Sequence, residues 1–351
     1  SNRVVVTSLD RKLEKADAAK NLNVKWKAKS LSRTLEKIEK GQKVVVVSNE
    51  ENGWSKIRTS LGTVGYVKTK DLANNIVVRD EMKNSTRLDG KVSLVWDYYS
   101  QYVTAPDRTG ESIPGINVVS PSFFMLERLG KGDITDNADE DGKRYVEWAK
   151  GQGYEVWPIF SNDSMPETTH EILSDYNLRA QTIENILALA IEYQVDGINL
   201  DFENMYEADK DLYTRFVIEL YPRLREYGMN LSVDVTAPDG SPMWSLCFDR
   251  YHISRNCDYL IFMAYDQNNG NKAGSNAAYD WVSVNLDKFL RDIDSEKIIL
   301  GIPLYTRTWE LGSEEDVPYV VDLNDIADVL PADATITWNE DAKQNIGEYT
   351  K

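Results

Sequence analysis

The sequence predicts an α/β protein, most simply a (β/α)8 barrel, behind a small all-β unit. Three observations lead there. From residue 91 onward, short apolar runs alternate with amphipathic helical stretches. Residues 22–73 show short strands and turns with no helical period of adequate length. One run, "VDGINLDFEN" at 195–204, sets Asn199, Asp201 and Glu203 at alternate positions with Ile198, Leu200 and Phe202 between them. Strands separated by helices favour a parallel sheet with the helices outside.

Residues 1–21 carry no readable pattern, and 76–90 read as a linker. Between them, the stretch "KVVVVSNEENGWSKIRTSLGTVGYVKTKDL" joins an apolar run to a loop ending at Gly53-Trp54, then to Gly62 and Gly65-Tyr66-Val67, which predicts a small β-barrel over 22–75. Seven barrel strands follow, at 92–98, 116–124, 153–160, 195–203, 229–236, 258–265 and 297–304. Two helices between them are well marked. In 175–193, Ile183, Ile186, Leu187, Ala190 and Ile191 form one stripe; in 209–227, Leu212, Phe216, Leu220 and Leu224 form another behind an Asp209 cap. The eighth strand is missing. After "GIPLYTRTWE" the chain turns acidic and irregular and closes on a possible hairpin, "TITWNEDAKQNIGEYTK". A barrel short of one strand leaves two unpaired edges, so the expectation is a fragment cut inside an insertion after strand seven.

The chain of 351 residues has 40 basic and 57 acidic residues, a formal charge of −17, which argues against nucleic acid as the main partner. The charge is uneven: residues 1–75 hold 16 Lys/Arg and 8 Asp/Glu, net +8, leaving net −25 for the rest. Cys247 and Cys257 exclude a disulfide-dense scaffold and a four-thiolate zinc site; two buried free thiols is the simplest reading. No apolar run is long enough to span a bilayer, and no leader opens the sequence. His170 and His252 match no metal-binding spacing and lie outside the strands, so neither a metal nor a cofactor is expected.

In a barrel, alternate strand residues face the lumen and the surrounding helices. Ile198, Leu200 and Phe202 then point outward, and Asn199, Asp201 and Glu203 inward, with Glu203 last, at the strand end where this architecture places its sites. Two carboxylates about 6–7 Å apart along one strand raise at least one pKa. A carboxylic acid that keeps its proton near neutral pH suits acid-assisted departure of an alkoxide. The rival reading is a solvated edge strand whose carboxylates face water.

"DGINLDFE" resembles the DGxDxDxE signature of glycoside hydrolase family 18, the chitinases and their relatives. "MAYD" at 263–266 is similar to that family's MxYD motif, and "GIPLYTRTW" at 301–309 to its strand-seven segment. "NVVSPSFF" resembles strand two of the spore germination and cortex-lytic N-acetylglucosaminidases, a sub-group whose signature often carries Asn at the first acidic position. "KGQKVVVV", "NGWSKI" and "GYVKTKDL" resemble a bacterial SH3-like domain, a module often attached to cell-wall enzymes, whose basic surface would suit an anionic wall polymer.

The resemblance implies a retaining, substrate-assisted glycosidase acting on peptidoglycan or a chitin-like polysaccharide outside the cell. Glu203 would be the acid and then the base. Asp201 would orient the 2-acetamido group, and Tyr265 and Asp266 would hydrogen-bond around it. Asn199 departs from the chitinase pattern: an amide donates a hydrogen bond but carries no negative charge, which implies a shifted pH profile with activity kept. Met263, Tyr98, Phe123, Tyr305, Arg307 and Trp309, with Trp96, Trp157 and Asn162, sit near strand ends where sugar-binding groups are needed. Two other classes fit the same residues. One is a chitinase-like lectin without turnover, which the presence of Glu203 opposes; the other is a metal-dependent enzyme using Asn199, Asp201 and Glu203 as oxygen ligands.

Overall fold

The computed structural model describes residues 12–50, 52–59, 63–79, 88–99, 104–128, 131–270, 273–310 and 318–350. Gly62 and most of the expected linker therefore lie outside the described residues.

The N-terminal unit is a seven-stranded sheet, antiparallel at every pairing. It is wider than the sequence indicates. Lys12–Ala18 lies between Lys43–Asn49 and Leu72–Arg79, so part of the segment with no readable pattern and part of the linker are strands. "KLEKADA" lacks the β-branched and aromatic residues that announce a strand; its two neighbours hold it extended. Val24, Ile38, Val44, Val46, Ile57 and Val67 form the unit's own small core.

Seven parallel strand positions follow in chain order. Leu94–Asp97 pairs with Val118–Pro121, which pairs with Glu155–Val156; Phe124–Leu126 pairs with Ile159–Ser161, and the ladder continues through Gly197–Asp201, Asn230–Val235 and Tyr259–Met263 to Ile298–Gly301. Each strand lies beside its predecessor, and a sheet wound in one direction without reversal has the strand order of a barrel-type α/β fold. The second and third expected strands are each broken in two. In the third the break is Trp157-Pro158, where proline offers no N–H to the ladder. Among the described residues no strand pairs with the outer edge of Ile298–Gly301. The first strand instead approaches the seventh through a side chain: a Cβ on Gly301 would lie 2.8 Å from the Trp96 ring.

The two marked helices are Tyr176–Glu192 and Lys210–Arg225. Asp175 caps the first, accepting from the N–H groups of Asn177 and Leu178. Asp209 stands at the start of the second but does not cap it; its side chain pairs with His170 Nδ1 at 2.7 Å. Ile198, Leu200 and Phe202 are 0%, 0% and 1% exposed. The Phe202 ring lies nearly parallel to Phe216 and Tyr213 of the second helix, 5.7 and 5.6 Å between centroids. Burying such side chains contributes about 1.5–3 kcal/mol each, which fixes the face of the fourth strand and aims its alternate residues inward. The C-terminal hairpin forms as expected, Thr335–Asn339 with Gln344–Glu348. Cys247 and Cys257 are buried and form no disulfide.

Candidate active site

Asn199, Asp201 and Glu203 stand in a row from the sheet interior to the strand end. Gly197–Asp201 is the ladder, and Glu203 follows it on the first turn of the loop. Glu203 is fixed by its backbone. Asn162, 1% exposed, accepts from Glu203 N–H through Oδ1 at 2.9 Å and donates to Glu203 C=O through Nδ2 at 2.8 Å. The neighbours of these two residues, Asp163, Ser164 and Asn204, take positive φ of 50°. Non-glycine residues are uncommon in that region, and their concentration at two adjacent strand ends marks a constrained site.

Burial and the nearby negative charges of Asp201 and Asp266 push the Glu203 carboxyl up to about 8. Burial pushes Asp201 up to about 6, and its Oδ1 is buried without a hydrogen-bond partner. Near neutral pH, Glu203 therefore holds a proton while Asp201 carries most of the charge.

The sixth strand ends at Met263, and Tyr265 and Asp266 follow it to the same mouth. Tyr265 lies edge-on to Trp96 and Tyr305, with centroids 6.1 and 6.2 Å away. Asp266 has φ +56° and is gripped on one oxygen by Tyr305 OH at 2.7 Å and Arg307 Nη2 at 2.8 Å, while its N–H donates to Asn276. Tyr305 and Arg307, read as sugar contacts, are thus the props of Asp266. Trp309 donates to the Gly270 carbonyl at 2.9 Å.

The other expected contacts differ in exposure. Phe123 is 0% exposed, packed among Phe124, Tyr145 and Tyr193 in the core, and cannot meet a sugar. Trp157 is equally buried, stacked on Tyr259 with its N–H on Glu155. Met263 is buried. Tyr98, at the end of the first strand, is exposed. Asn199, read as substrate-binding, lies under the site with 0% exposure: Trp96 Nε1 and Ser120 Oγ donate to its Oδ1, and its Nδ2 donates to Asp234. Position along the chain does not reveal which strand-end residues a neighbouring helix covers.

Asp234 is the residue that the motif reading missed. A signal for it exists: "NLSVDV" alternates Asn230, Ser232 and Asp234 with apolar residues, as the fourth strand does. Among the described residues no group of three or more His, Cys, Asp or Glu is arranged to hold a metal ion, and no helix is long and apolar enough to cross a membrane.

A one-directional parallel α/β sheet with a proton-holding carboxyl and a partner carboxylate past the carboxyl end of one strand defines an acid–base site on a barrel-type scaffold. The sequence profile of the glycosyl hydrolases family 18 matches residues 94–348, and the chain belongs to that family. It is similar to YdhD of Bacillus subtilis, a candidate sporulation-specific glycosylase, at 32% identity over 199 residues, 54% of this chain and 46% of that protein. The chain spans about half the length of the curated relatives it matches. Its fold resembles the spore cortex-lytic enzyme SleL of Bacillus cereus (TM-score 0.61, 16% identity, 90% of this chain and 77% of that one). It also resembles a chitinase of Chromobacterium violaceum (TM-score 0.63, 20% identity, 74% of this chain and 82% of that one).

Proposed function

We propose that this protein hydrolyses β-1,4 bonds of glycans containing N-acetylglucosamine, with retention and with the substrate's acetamido group as nucleophile. The observation that carries this reading is Glu203: a carboxyl held by its backbone at the sheet mouth, carrying a proton near neutral pH, two residues beyond an ionised Asp201. Glu203 gives its proton to the leaving oxygen as the acetamido carbonyl oxygen attacks the anomeric carbon. Asp201 accepts from the acetamido N–H and faces the positive charge that develops there. Glu203, now ionised, then takes a proton from water, whose oxygen opens the cyclic intermediate. Well-oriented intramolecular attack has an effective molarity of about 10⁵ M or more, so no protein nucleophile is needed. Tyr265, beside Trp96, and Asp266, fixed by Tyr305 and Arg307, border the acetamido position.

Peptidoglycan is the favoured polymer over chitin, and the setting is the cell wall or spore outside the cell. The names of YdhD and SleL support this, as does the N-terminal unit, which we read as SH3-like. That unit carries an open concavity of about 270 Å³ where Lys25, Lys68, Lys70 and Trp54 stand beside a Lys20–Asp71 ion pair of 2.8 Å, a net positive lining that favours an anionic wall polymer. Digestion of purified peptidoglycan and of chitin oligomers by this protein and by Glu203→Gln, with products weighed, tests the reading. New N-acetylglucosamine reducing ends from the unmodified protein alone are expected; equal cleavage by the variant removes Glu203 from its role, and binding without any cleavage makes the protein a lectin.

A further inference from the structure

The fifth strand repeats the device of the fourth beside it, Ser232 standing in register with Asn199. Asn230, Ser232 and Asp234 are 3%, 0% and 1% exposed, so three polar side chains are sealed inside the sheet. Asn230 is accounted for, donating to Glu155 at 3.0 Å. Asp234 is not: an ionised carboxylate in such a position costs several kcal/mol unless compensated, and the compensation in reach is the Asn199 amide and the Trp96 indole N–H, which Asn199 shares. The orientation of that amide is settled by its surroundings. Asn199 Oδ1 receives Trp96 Nε1 at 2.8 Å and Ser120 Oγ at 3.1 Å, so its other end must be Nδ2, which donates to Asp234 Oδ1 at 2.7 Å. One Asp234 oxygen is thereby committed as an acceptor, and Oδ2 is the oxygen left to carry a proton. Across the site, Asp201 Oδ1 is buried with no donor.

We propose that Asp234 is the positioning residue for Asp201: it stays neutral, held by Asn199, and its Oδ2–H supplies the hydrogen bond that keeps Asp201 ionised and aimed at the acetamido group. The inference rests on the role given to Asp201 above.

The arrangement also gives Asn199 its reason. An aspartate at 199 would leave two buried carboxyls competing for charge beneath Asp201; an amide has a donor to hold Asp234 and no charge of its own. Burial first, and then the charges of Asp201 and Glu203, hold the Asp234 carboxyl well above the usual carboxylate range, against the opposing pull of the Asn199 and Trp96 hydrogen bonds. The charged or titratable groups that face it are Asp201 and Glu203 from the fourth strand, Tyr265 from the end of the sixth, and Tyr213 from the helix Lys210–Arg225.

Two measurements test the proposal. Infrared difference spectra between the unmodified protein and Asp234→Asn at pH 7 should contain the carbonyl band of an undissociated carboxyl; ionised carboxylate bands alone would overturn it. This readout needs no turnover and no drastic substitution. In kinetics on chitin oligomers, Asp234→Leu should lower kcat tenfold or more with KM within twofold. It should also move the acid limb of kcat/KM to higher pH, because Asp201 loses the hydrogen bond that favours its charge. Asp234→Asn, which keeps a donor, should rescue most of kcat and restore the acid limb. An Asp234→Asn protein as impaired as Asp234→Leu, or an acid limb unmoved in Asp234→Leu, would sink the proposal. Full activity of Glu203→Gln would remove Glu203 from its role, and with it the acid–base reading of the site, and leave the infrared result on Asp234 standing.

Discussion

The fourth and seventh parallel strands carry similar apolar alternation and end in opposite surroundings. In the fourth, Ile198, Leu200 and Phe202 vanish beneath the helices Tyr176–Glu192 and Lys210–Arg225. In the seventh, Leu300, Ile302 and Leu304 remain 39%, 62% and 64% exposed. The helix Tyr279–Leu290 precedes that strand, while after it the described helical piece is the four-residue Ile326–Val329, with no buried residue. A strand's alternation therefore states which face wants to be covered, and the hydrophobic term is realised only where a second element removes that face from water. The inner faces differ likewise: the fourth strand presents its carboxyls to a packed interior that perturbs them, whereas the seventh offers Gly301, against which the Trp96 ring lies.

That contrast can be broken or sharpened by substitution. The largest effect is expected on the inner face of the fourth strand, where Glu203→Gln should lower kcat by about 10²–10⁴-fold while binding of a chitin oligomer, read by calorimetry, stays within a few-fold. On its outer face, Phe202→Ala should cost about 3–5 kcal/mol in denaturant unfolding, because Phe216 and Tyr213 lose their stacking partner. Next comes the clamp. Asn162→Ala frees both backbone groups of Glu203 and should cost about 1–3 kcal/mol, with kcat falling further than stability alone explains.

A smaller effect should appear in the pH dependence of Tm. Glu203 has its carboxyl raised from 4.5 to about 8 on folding, so the folded state binds more protons than the unfolded one between those values. Its contribution is thus fully present below the unfolded pKa and is lost as pH rises through the folded one. Glu203→Gln should accordingly flatten the decline of Tm from pH 5 to 8 and melt higher than the unmodified protein at pH 8; parallel curves would show that Glu203 is not desolvated. Smallest of all, Ile302→Ser, just past the end of the seventh strand, should change unfolding by no more than about 0.5 kcal/mol. A cost several times larger would mean that this face is covered after all, and the contrast between the two strands would fail.

Much of the sheet could be read from the sequence because each of its strands is an apolar run between turns, and both marked helices fall within a residue or two of their stripes. The carboxyl pair of the fourth strand was legible for the same reason: a period of two is a local property. Lys12–Ala18 was not legible, since its strand identity comes from Lys43–Asn49 and Leu72–Arg79 on either side. Nor were the true neighbours of Asp266. Tyr305 and Arg307 looked like sugar contacts because they end a strand, and they are hydrogen-bonded to a carboxylate about forty residues earlier in the chain.

By itself the sequence determined which residues could do chemistry here: the order Asn199, Asp201, Glu203, the face they share, and the family signature around them. The tertiary structure decided what each of them is. Folding put Asn162 on both sides of the Glu203 backbone, joined Asp234 to Asn199, and took Phe123 and Trp157 out of reach of any ligand. The reason is physical. Side-chain direction follows from local backbone geometry, but a carboxyl's charge state and a ring's accessibility depend on desolvation and on neighbours from distant parts of the chain, and these exist only once the chain has folded.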